Sequence, residues 1–293
     1  MFYFFTEIRL MKRLFSYFIW FCLMFSWIGS ASANTTAWTV PKISNLPSLE
    51  ALAIGMKIWH NECGGRIDGL TSWNDGEDFA SLGIGHFIWY SSGRGSDKDS
   101  FPRLIQYMRS NGVSVPKWLD YPVTPSCPWR SKEEFFSSAK TDLRFMELRV
   151  FLARTVSVQV QYLMYRLETA LPQILVAAPS NERDFIYQKL SQLLSTPSGV
   201  YVLVDYVNFK GDGVLAAEKG VDIHHPSWGL LQVLENMRYA PARLTPLQAY
   251  AWSAKRVLLR RVLYAEPARH EERWLLGWLK RVDGYLINER IKK

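Results

Sequence analysis

The spacing of apolar residues changes twice along the chain, and each change marks a different kind of element. From Leu49 to Asn61, apolar residues and alanines form a short run of helical character. The pair Gly64-Gly65 follows closely, and glycine readily adopts the left-handed backbone that ends a helix. This pattern predicts a first helix with Glu62 at its C-terminus.

Residues 66–90 have the composition of small β-hairpins. Two short apolar pieces, Phe79–Leu82 and Phe87–Tyr90, are bounded by residues that favour turns. The turn residues are Gly69, Asn74-Asp75-Gly76, Gly83 and Gly85. They predict one small antiparallel sheet close behind the first helix.

After the polar loop 91–100, the period of the apolar residues is helical almost to the end of the chain. Thr245-Pro246 is typical of a helix N-cap followed by proline in the first turn. The predicted helices are Phe101–Ser110, Ser131–Thr169 with at least one break, Glu182–Ser195, Gly199–Tyr206, Trp228–Met237, Thr245–Glu266 and Arg269–Lys292. The predicted fold class is therefore α+β, mostly helical, with a small antiparallel β-hairpin sheet inserted early.

The first thirty-three residues have the three parts of a secretory signal peptide. Met11-Lys12-Arg13 begins a basic segment, Leu14–Ile28 is predominantly apolar, and Ala31-Ser32-Ala33 is a small-x-small cleavage site. We expect residues 1–33 to be removed, leaving a periplasmic or secreted chain whose residues 34–48 form an exposed lead-in. The alternative is a permanent anchor, although the apolar run is shorter than the roughly 18 to 20 residues of a membrane span.

The chain is basic before and after that predicted cleavage. Its 35 basic and 27 acidic residues give a formal charge of +8, and loss of Arg9, Lys12, Arg13 and Glu7 leaves 32 and 26, or +6. A basic surface favours polyanionic partners outside the cytoplasmic membrane, among them peptidoglycan and teichoic acids. Because no run of five or six like charges is present, we expect no nucleic-acid partner. Membrane contact is expected only through the signal segment before cleavage.

Two of the three cysteines remain once Cys22 is removed with the predicted signal. In an oxidising compartment this pair predicts one disulfide, between Cys63 and Cys127. That bond would tether the segment after Glu62 to the proline-rich stretch Pro122–Pro128.

Four carboxylates follow Glu62 within the short segment that ends at His86. Glycoside hydrolysis needs a carboxylic acid that protonates the leaving oxygen and a second carboxylate that stays ionised. A helix end facing a hairpin can hold two such groups across a cleft. Neighbouring aromatic residues could stack on sugar rings or simply fill the core; they are Trp59, Trp73, Phe79, Trp89 and Tyr90.

The segment from Glu62 to His86 resembles the active-site region of the phage-type lysozymes. In that family a catalytic Glu ends the first long helix, a catalytic Asp and a Thr follow on a hairpin, and Gly-Ile/Tyr-Gly-His closes the hairpin. Gly83-Ile84-Gly85-His86 matches the closing sequence. The resemblance places Glu62 in the Glu position, Asp75 in the Asp position and Ser81 in the Thr position, where a hydroxyl helps to hold the attacking water.

A second stretch extends this resemblance. Leu203–Gly213 is similar to the family's later helix and turn, and Trp228–Leu234 falls where the family has a Leu-Leu helix. The resemblance implies a lysozyme-like domain over residues 49–293, with an added helical insertion at about 91–180. The implied site comprises Glu62, Asp75 and Ser81 as catalytic residues, Trp73, Phe79, Asn208 and Gln232 as substrate-binding residues, and Gly83, Gly85 and His86 as structural residues.

Glu62 and Asp75 are farther apart in the sequence than in the family, so Glu77 and Asp78 are alternative second carboxylates. The predicted activity is hydrolysis of β-1,4 glycosidic bonds in peptidoglycan, without a metal or organic cofactor. The alternatives are a lytic transglycosylase on the same substrate, a chitinase or chitosanase, and a non-catalytic glycan-binding protein on a lysozyme-like fold.

The remaining candidates have plainer interpretations. Trp252, Trp274 and Trp278 follow helical spacing, which predicts a place in the core. Lys280-Arg281 is predicted to be an ordinary pair of solvated charges. Asp222 and His224-His225 indicate a polar loop and no metal site, because adjacent histidines point away from each other on regular backbone.

Overall fold

The computed structural model describes residues 43, 48–91, 99–120, 123–214 and 227–286. All of them belong to one compact unit, Val40–Lys293. The predicted signal segment 1–33 and most of the lead-in 34–48 lie outside the described residues. So do Asp222, His224 and His225.

Helix α1 covers Ser48–Cys63, and Glu62 lies in its last turn as predicted. Gly64 and Gly65 follow with φ angles of +62° and +72°. Their N–H groups donate to the carbonyl oxygens of His60 and Trp59. These bonds satisfy carbonyls that the helix end would otherwise leave without partners, so the helix stops at Cys63, one residue after Glu62.

A three-stranded antiparallel sheet follows, with the strands in the order β1 (Thr71–Ser72), β2 (Phe79–Leu82) and β3 (Phe87–Tyr90). Phe79 lies opposite Tyr90 in the register. The two predicted strands are confirmed to the residue. The two-residue strand β1 was not predicted, because it is too short to show an alternating pattern.

Most of the rest of the described chain is helical, which confirms the mostly helical α+β class. The predicted segment 131–169 is divided into three helices at Asp142 and Thr155. The helices are α2 (Phe101–Ser110), α3 (Lys132–Ser138), α4 (Leu143–Arg154), α5 (Val156–Ala177), α6 (Arg183–Leu194), α7 (Pro197–Lys210), α8 (Leu230–Asn236), α9 (Pro246–Tyr264) and α10 (Glu272–Asp283). Short 3-10 turns at 68–70, 117–119, 237–239, 267–269 and 284–286 lie between or after them.

The end of α1 is held in place by two long helices. Helix α1 packs against α5 and α7, and α10 packs against α9. Gly55 allows α1 to approach α5 closely, since a Cβ atom there would lie 1.9 Å from Val160 Cγ2. Helix α7 is buried along most of its length, from Gly199 to Val207.

An aromatic core lies behind the sheet. The ring of Trp89 is 4.8 Å from that of Phe101 and 6.1 Å from that of Trp129, centroid to centroid. Trp129 in turn lies 5.1 Å from Phe145 of α4. These contacts anchor the sheet to the helices that follow it, and so they fix the hairpin opposite the end of α1.

Candidate functional site

Glu62 lies at the centre of a polar cluster formed by α1, α7, α10 and the turn between β2 and β3. Its side chain is 14% exposed. Oε1 accepts hydrogen bonds from the Arg281 guanidinium at 2.6 Å and from Asn208 Nδ2 at 3.2 Å. The other oxygen, Oε2, faces His86 Nδ1 at 3.8 Å. Glu62 is therefore held on one side by a cation and an amide.

Arg281 also binds the fully buried carboxylate of Asp205 on α7. Two guanidinium nitrogens donate to the two Asp205 oxygens at 2.8 Å each, and Tyr285 donates to Asp205 Oδ2 at 2.6 Å. Burial acts to lower the pKa of Arg281, but Asp205 and Glu62 outweigh it and raise that pKa above its ordinary value. A buried carboxylate without such partners would be strongly destabilising, so this network fixes Arg281 beside Glu62.

Asn208 connects Glu62 to the turn between β2 and β3. Its amide nitrogen donates to Gly85 O at 3.0 Å as well as to Glu62. Its amide oxygen accepts from Arg166 at 3.0 Å. A Cβ atom on Gly85 would lie 2.8 Å from Phe87 Cζ and 3.0 Å from Asn208 Oδ1, so only glycine fits this close approach.

His86 has a left-handed backbone, with φ of 49°, and its ring is largely buried beside Glu62. Burial lowers the pKa of His86, against the opposing effect of the Glu62 charge. Nε2 is buried as well. The structural role of His86 remains a prediction. The structure shows in addition that the His86 ring lies directly beside Glu62.

Two of the three predicted second carboxylates, Asp75 and Glu77, form an ion pair and a hydrogen bond outside this cluster. Asp75 is 98% exposed and forms an ion pair with Lys132. Glu77 accepts a hydrogen bond from Asn74 at 3.0 Å, and burial raises its pKa. Asp78 is exposed on the same turn. Asp75 is therefore a solvated turn residue in this structure, and no contact brings it or Glu77 to Glu62 within the described ranges.

Ser81, the predicted holder of an attacking water, is buried in the middle of β2 between Ser72 and Ile88. Its register position places it inside the three-stranded sheet, where bulk water does not reach. The structure therefore gives no support to that role.

Two of the predicted substrate-binding aromatics belong to the core or its edge. Trp73 is only 3% exposed; its Nε1 donates to Glu77 O at 2.8 Å, and its ring packs against Phe135. Its ring is closed off from solvent, which does not support the predicted contact with substrate. Phe79 is half-buried and packs edge-on against Tyr90, with centroids 5.1 Å apart.

The side chain of Gln232 forms hydrogen bonds with the backbone of the turn before α8. Its Oε1 accepts from Gly229 N at 3.0 Å, and its Nε2 donates to Gly213 O at 3.3 Å. The side chain thereby ties the start of α8 to the turn after α7. Its amide is occupied by the backbone, which does not support the predicted contact with substrate.

The two cysteines are free thiols, so the predicted disulfide is absent. Cys63 Sγ donates to Gly83 O at 3.5 Å, at the turn that precedes β3. Cys127 pairs with Ser91, directly after the far end of β3. The length of that strand separates the thiols, and burial raises the pKa of each to about 12.

Sequence reasoning missed the most important partner of Glu62. Arg281, predicted to be a solvated charge, is largely buried between Glu62 and Asp205. Two signals could have found it. Asp205 is the one charged residue in the apolar run Gly199–Val207, and a buried carboxylate needs a cation. Arg281 likewise shares one helical face with Trp278 and Tyr285.

Lys210 is a second cation near the cluster. It ends α7, and its Nζ lies 4.0 Å from the centroid of Phe209 and 3.6 Å from that of Trp278. Burial and the charges of Arg261 and Arg281 lower the pKa of Lys210 to about 6. This side of the site is therefore both aromatic and rich in nitrogen donors.

Among the described residues, no group of three or more His, Cys, Asp or Glu side chains could hold a metal ion. Within the same ranges, every helix is too short or too polar to cross a bilayer.

No protein-family model, curated protein or solved structure matches this chain.

Proposed function

We propose that the protein is an exported glycosidase that cleaves β-1,4 bonds in peptidoglycan, with Glu62 as the general acid. The observation that carries this proposal is the placement of Glu62, at the end of the first helix, facing the Gly83–His86 turn and held by Arg281 and Asn208. A carboxylic acid fixed at such a position can protonate the oxygen of a leaving sugar.

The partners of Glu62 are hydrogen-bond donors, which suit the carboxylate that remains after proton transfer. Oε1 is occupied by two donors, so Oε2 is the oxygen that would address the glycosidic bond. When Oε2 gives up its proton, the group becomes a full carboxylate. Arg281 at 2.6 Å and Asn208 at 3.2 Å are already oriented to stabilise that negative charge, without any rearrangement at the moment of reaction.

The fold class also supports the proposal. A helical body with one early three-stranded sheet is the arrangement that the resemblance to phage-type lysozymes implies. We propose a lysozyme-like fold on that basis, with export through removal of residues 1–33. N-terminal sequencing of the mature protein would test the export step, and we expect it to begin at Asn34.

A lytic transglycosylase is the second candidate, and the exposure of Asp75 favours it. Inverting and retaining hydrolases use a second carboxylate close to the first, at about 5–9.5 Å. Asp75 is almost fully exposed and bound to Lys132 instead. A lytic transglycosylase relies on one strong acid/base group and releases anhydro sugars in place of reducing ends. It therefore does not need a second carboxylate.

Mass analysis of fragments released from purified peptidoglycan tests both candidates. We expect release by the wild-type protein and by Glu50→Gln, a control at the opposite end of α1. Glu62→Gln should lose at least about 100-fold in rate, the usual contribution of a general acid. Reducing ends identify a hydrolase and anhydro ends a transglycosylase. If the wild type binds the glycan but releases nothing, the protein is a binding module and the proposal is wrong.

A further inference from the structure

The side-chain amide of Asn208 lies between one group that donates and two groups that accept. Arg166 Nη1, on α5, donates to Asn208 Oδ1 at 3.0 Å. On the other side, Asn208 Nδ2 donates to Glu62 Oε1 at 3.2 Å and to Gly85 O at 3.0 Å. One amide therefore connects a guanidinium to the carboxyl group of the proposed acid.

The oxygen and the nitrogen of an amide are nearly alike in shape, so the neighbouring groups decide which of them faces which way. In the opposite orientation, Oδ1 of Asn208 would face the acceptor oxygens of Glu62 and Gly85, and Nδ2 would face Arg166. A guanidinium cannot accept a hydrogen bond, whereas a water molecule can both donate and accept. Arg166 is therefore compatible only with the orientation in which Nδ2 faces Glu62.

Helix α5 holds Arg166 in this place because it packs against both α1 and α7. Leu163 and Leu167, close to Arg166 on α5, are buried, and Arg166 itself is half-buried. Burial lowers the pKa of Arg166, so its charge is kept against an opposing effect. The hydrogen bond to Asn208 is charge-assisted, and such bonds are stronger than those between neutral groups. This bond is therefore well suited to fix the amide.

We propose that Arg166 is a positioning residue, which holds the Asn208 amide so that Nδ2 donates to Glu62 throughout the reaction. Its effect on the rate rests on the proposed function, since Glu62 is taken to be the acid. Arg166 acts through Asn208, which stabilises the Glu62 carboxylate that remains after proton transfer. A guanidinium at Oδ1 also polarises the amide, which strengthens the donor that faces Glu62. Without Arg166, the amide would turn its oxygen toward another donor and weaken the bond to Glu62.

Steady-state kinetics on purified peptidoglycan test the effect on the reaction. We expect Arg166→Met to lower kcat by about threefold to tenfold and to leave KM nearly unchanged, because the lost bond stabilises charge that forms after binding. Arg166→Lys should recover most of kcat, since an ammonium group also donates and cannot accept. Arg154→Met is the matched control: it removes an exposed arginine from the preceding helix and should leave both constants unchanged.

A double-mutant cycle separates positioning through Asn208 from a general effect on the fold. In the Asn208→Ala protein the connecting amide is gone, so Arg166→Met should then change kcat by less than about twofold. An equal loss of kcat in both backgrounds would overturn the proposal, because Arg166 would act by another route.

Hydrogen exchange of the Asn208 side-chain amide, followed by NMR, gives a second measurement that needs no turnover. We expect Arg166→Met to speed the exchange of the Nδ2 protons by at least about threefold, because the amide would open more often. Arg166→Lys should keep the wild-type rate. The Asn61 amide, which donates to Tyr201 Oη at 2.8 Å, is the internal reference and should exchange at the same rate in all three proteins.

Failure of the positioning role and failure of the proposed function give different results. If the wild type cleaves peptidoglycan and Arg166→Met leaves either kcat or the Asn208 exchange rate unchanged, the positioning role is wrong and the glycosidase stands. If nothing is cleaved but Arg166→Met speeds exchange at Asn208, Arg166 holds the amide and the glycosidase is wrong. If nothing is cleaved and exchange is unchanged, both are wrong.

Discussion

Arg281 and Glu62 are 219 positions apart in the sequence, yet their side chains meet at 2.6 Å. The same guanidinium binds both oxygens of Asp205, which is fully buried. One cation therefore serves two carboxylates, one in the core and one facing the site. This arrangement links the stability of the fold to the placement of the proposed acid.

Replacing Arg281 by Met should lower the free energy of unfolding by about 3–5 kcal/mol, because Asp205 would remain buried without its cation. Urea denaturation measures the loss. Lys280→Met, at the exposed neighbouring position, should change stability by less than about 0.5 kcal/mol. Adding Asp205→Asn to Arg281→Met should recover part of the loss. Equal stability of Arg281→Met and Lys280→Met would show that the network contributes nothing.

Asp75→Asn should leave cleavage within about threefold of the wild-type rate, since a solvated residue is expected to contribute less than a general acid or base. Its carboxylate is bound to Lys132 and not to the cluster around Glu62. The rate of fragment release, beside that of Glu62→Gln, measures this. A loss as large as that of Glu62→Gln would restore Asp75 as the second carboxylate and favour the two-carboxylate hydrolase.

The stability of the protein should depend on His86 at mildly acidic pH. The unfolded imidazole titrates near pH 6.5, and burial lowers the pKa of His86 in the folded state. Between these two values the unfolded chain binds more protons, so the free energy of unfolding decreases as the pH falls through 6.5. We expect a loss of stability between about pH 7.5 and 5.5 that is smaller in His86→Asn.

His270 provides the control for that experiment. It also has a left-handed backbone, with φ of 47°, but its side chain is exposed. Asn tolerates this backbone, so neither substitution should strain the turn. His270→Asn should keep the pH dependence of the wild type, and a His86→Asn protein that also kept it would assign the effect to other groups.

Gly55→Ala should lower the free energy of unfolding by about 1–3 kcal/mol, because the new methyl group would overlap Val160 Cγ2. Val160→Ala in the same chain should relieve part of this loss. Gly277 in α10 has open space around its Cα, and Gly277→Ala should stabilise the protein by about 0.5–1 kcal/mol. Thermal melting curves compare the three variants, and stabilisation by Gly55→Ala would contradict the close α1–α5 packing.

The local features of the fold could be predicted from the sequence. Gly64-Gly65 marks the end of α1, and the glycines around Phe79–Leu82 and Phe87–Tyr90 delimit two strands, because these signals act within a few residues. The helix breaks at Asp142 and Thr155 were not located. Asp142 caps α4 by accepting from Arg144 N, and such a residue also occurs in exposed helix interiors.

The site depends on contacts between residues that are far apart in the sequence. The spacing of apolar residues does not reveal such contacts. Glu62 was identified because its position follows from α1 alone. Helical spacing placed Trp274 and Trp278 on one face, but it does not tell whether that face meets the core or solvent. The environment of Arg281 is decided by α1 and α7, which lie far earlier in the chain.

The order of the residues along the chain determines when the site can form. Glu62 is made well before Arg281, which follows it by 219 positions in the sequence. Whether the chain folds during synthesis or after passage through a membrane, the earlier segments become available first. The proposed acid therefore has no guanidinium beside it until α10 arrives, and maturation of the site is a late event in the assembly of the protein.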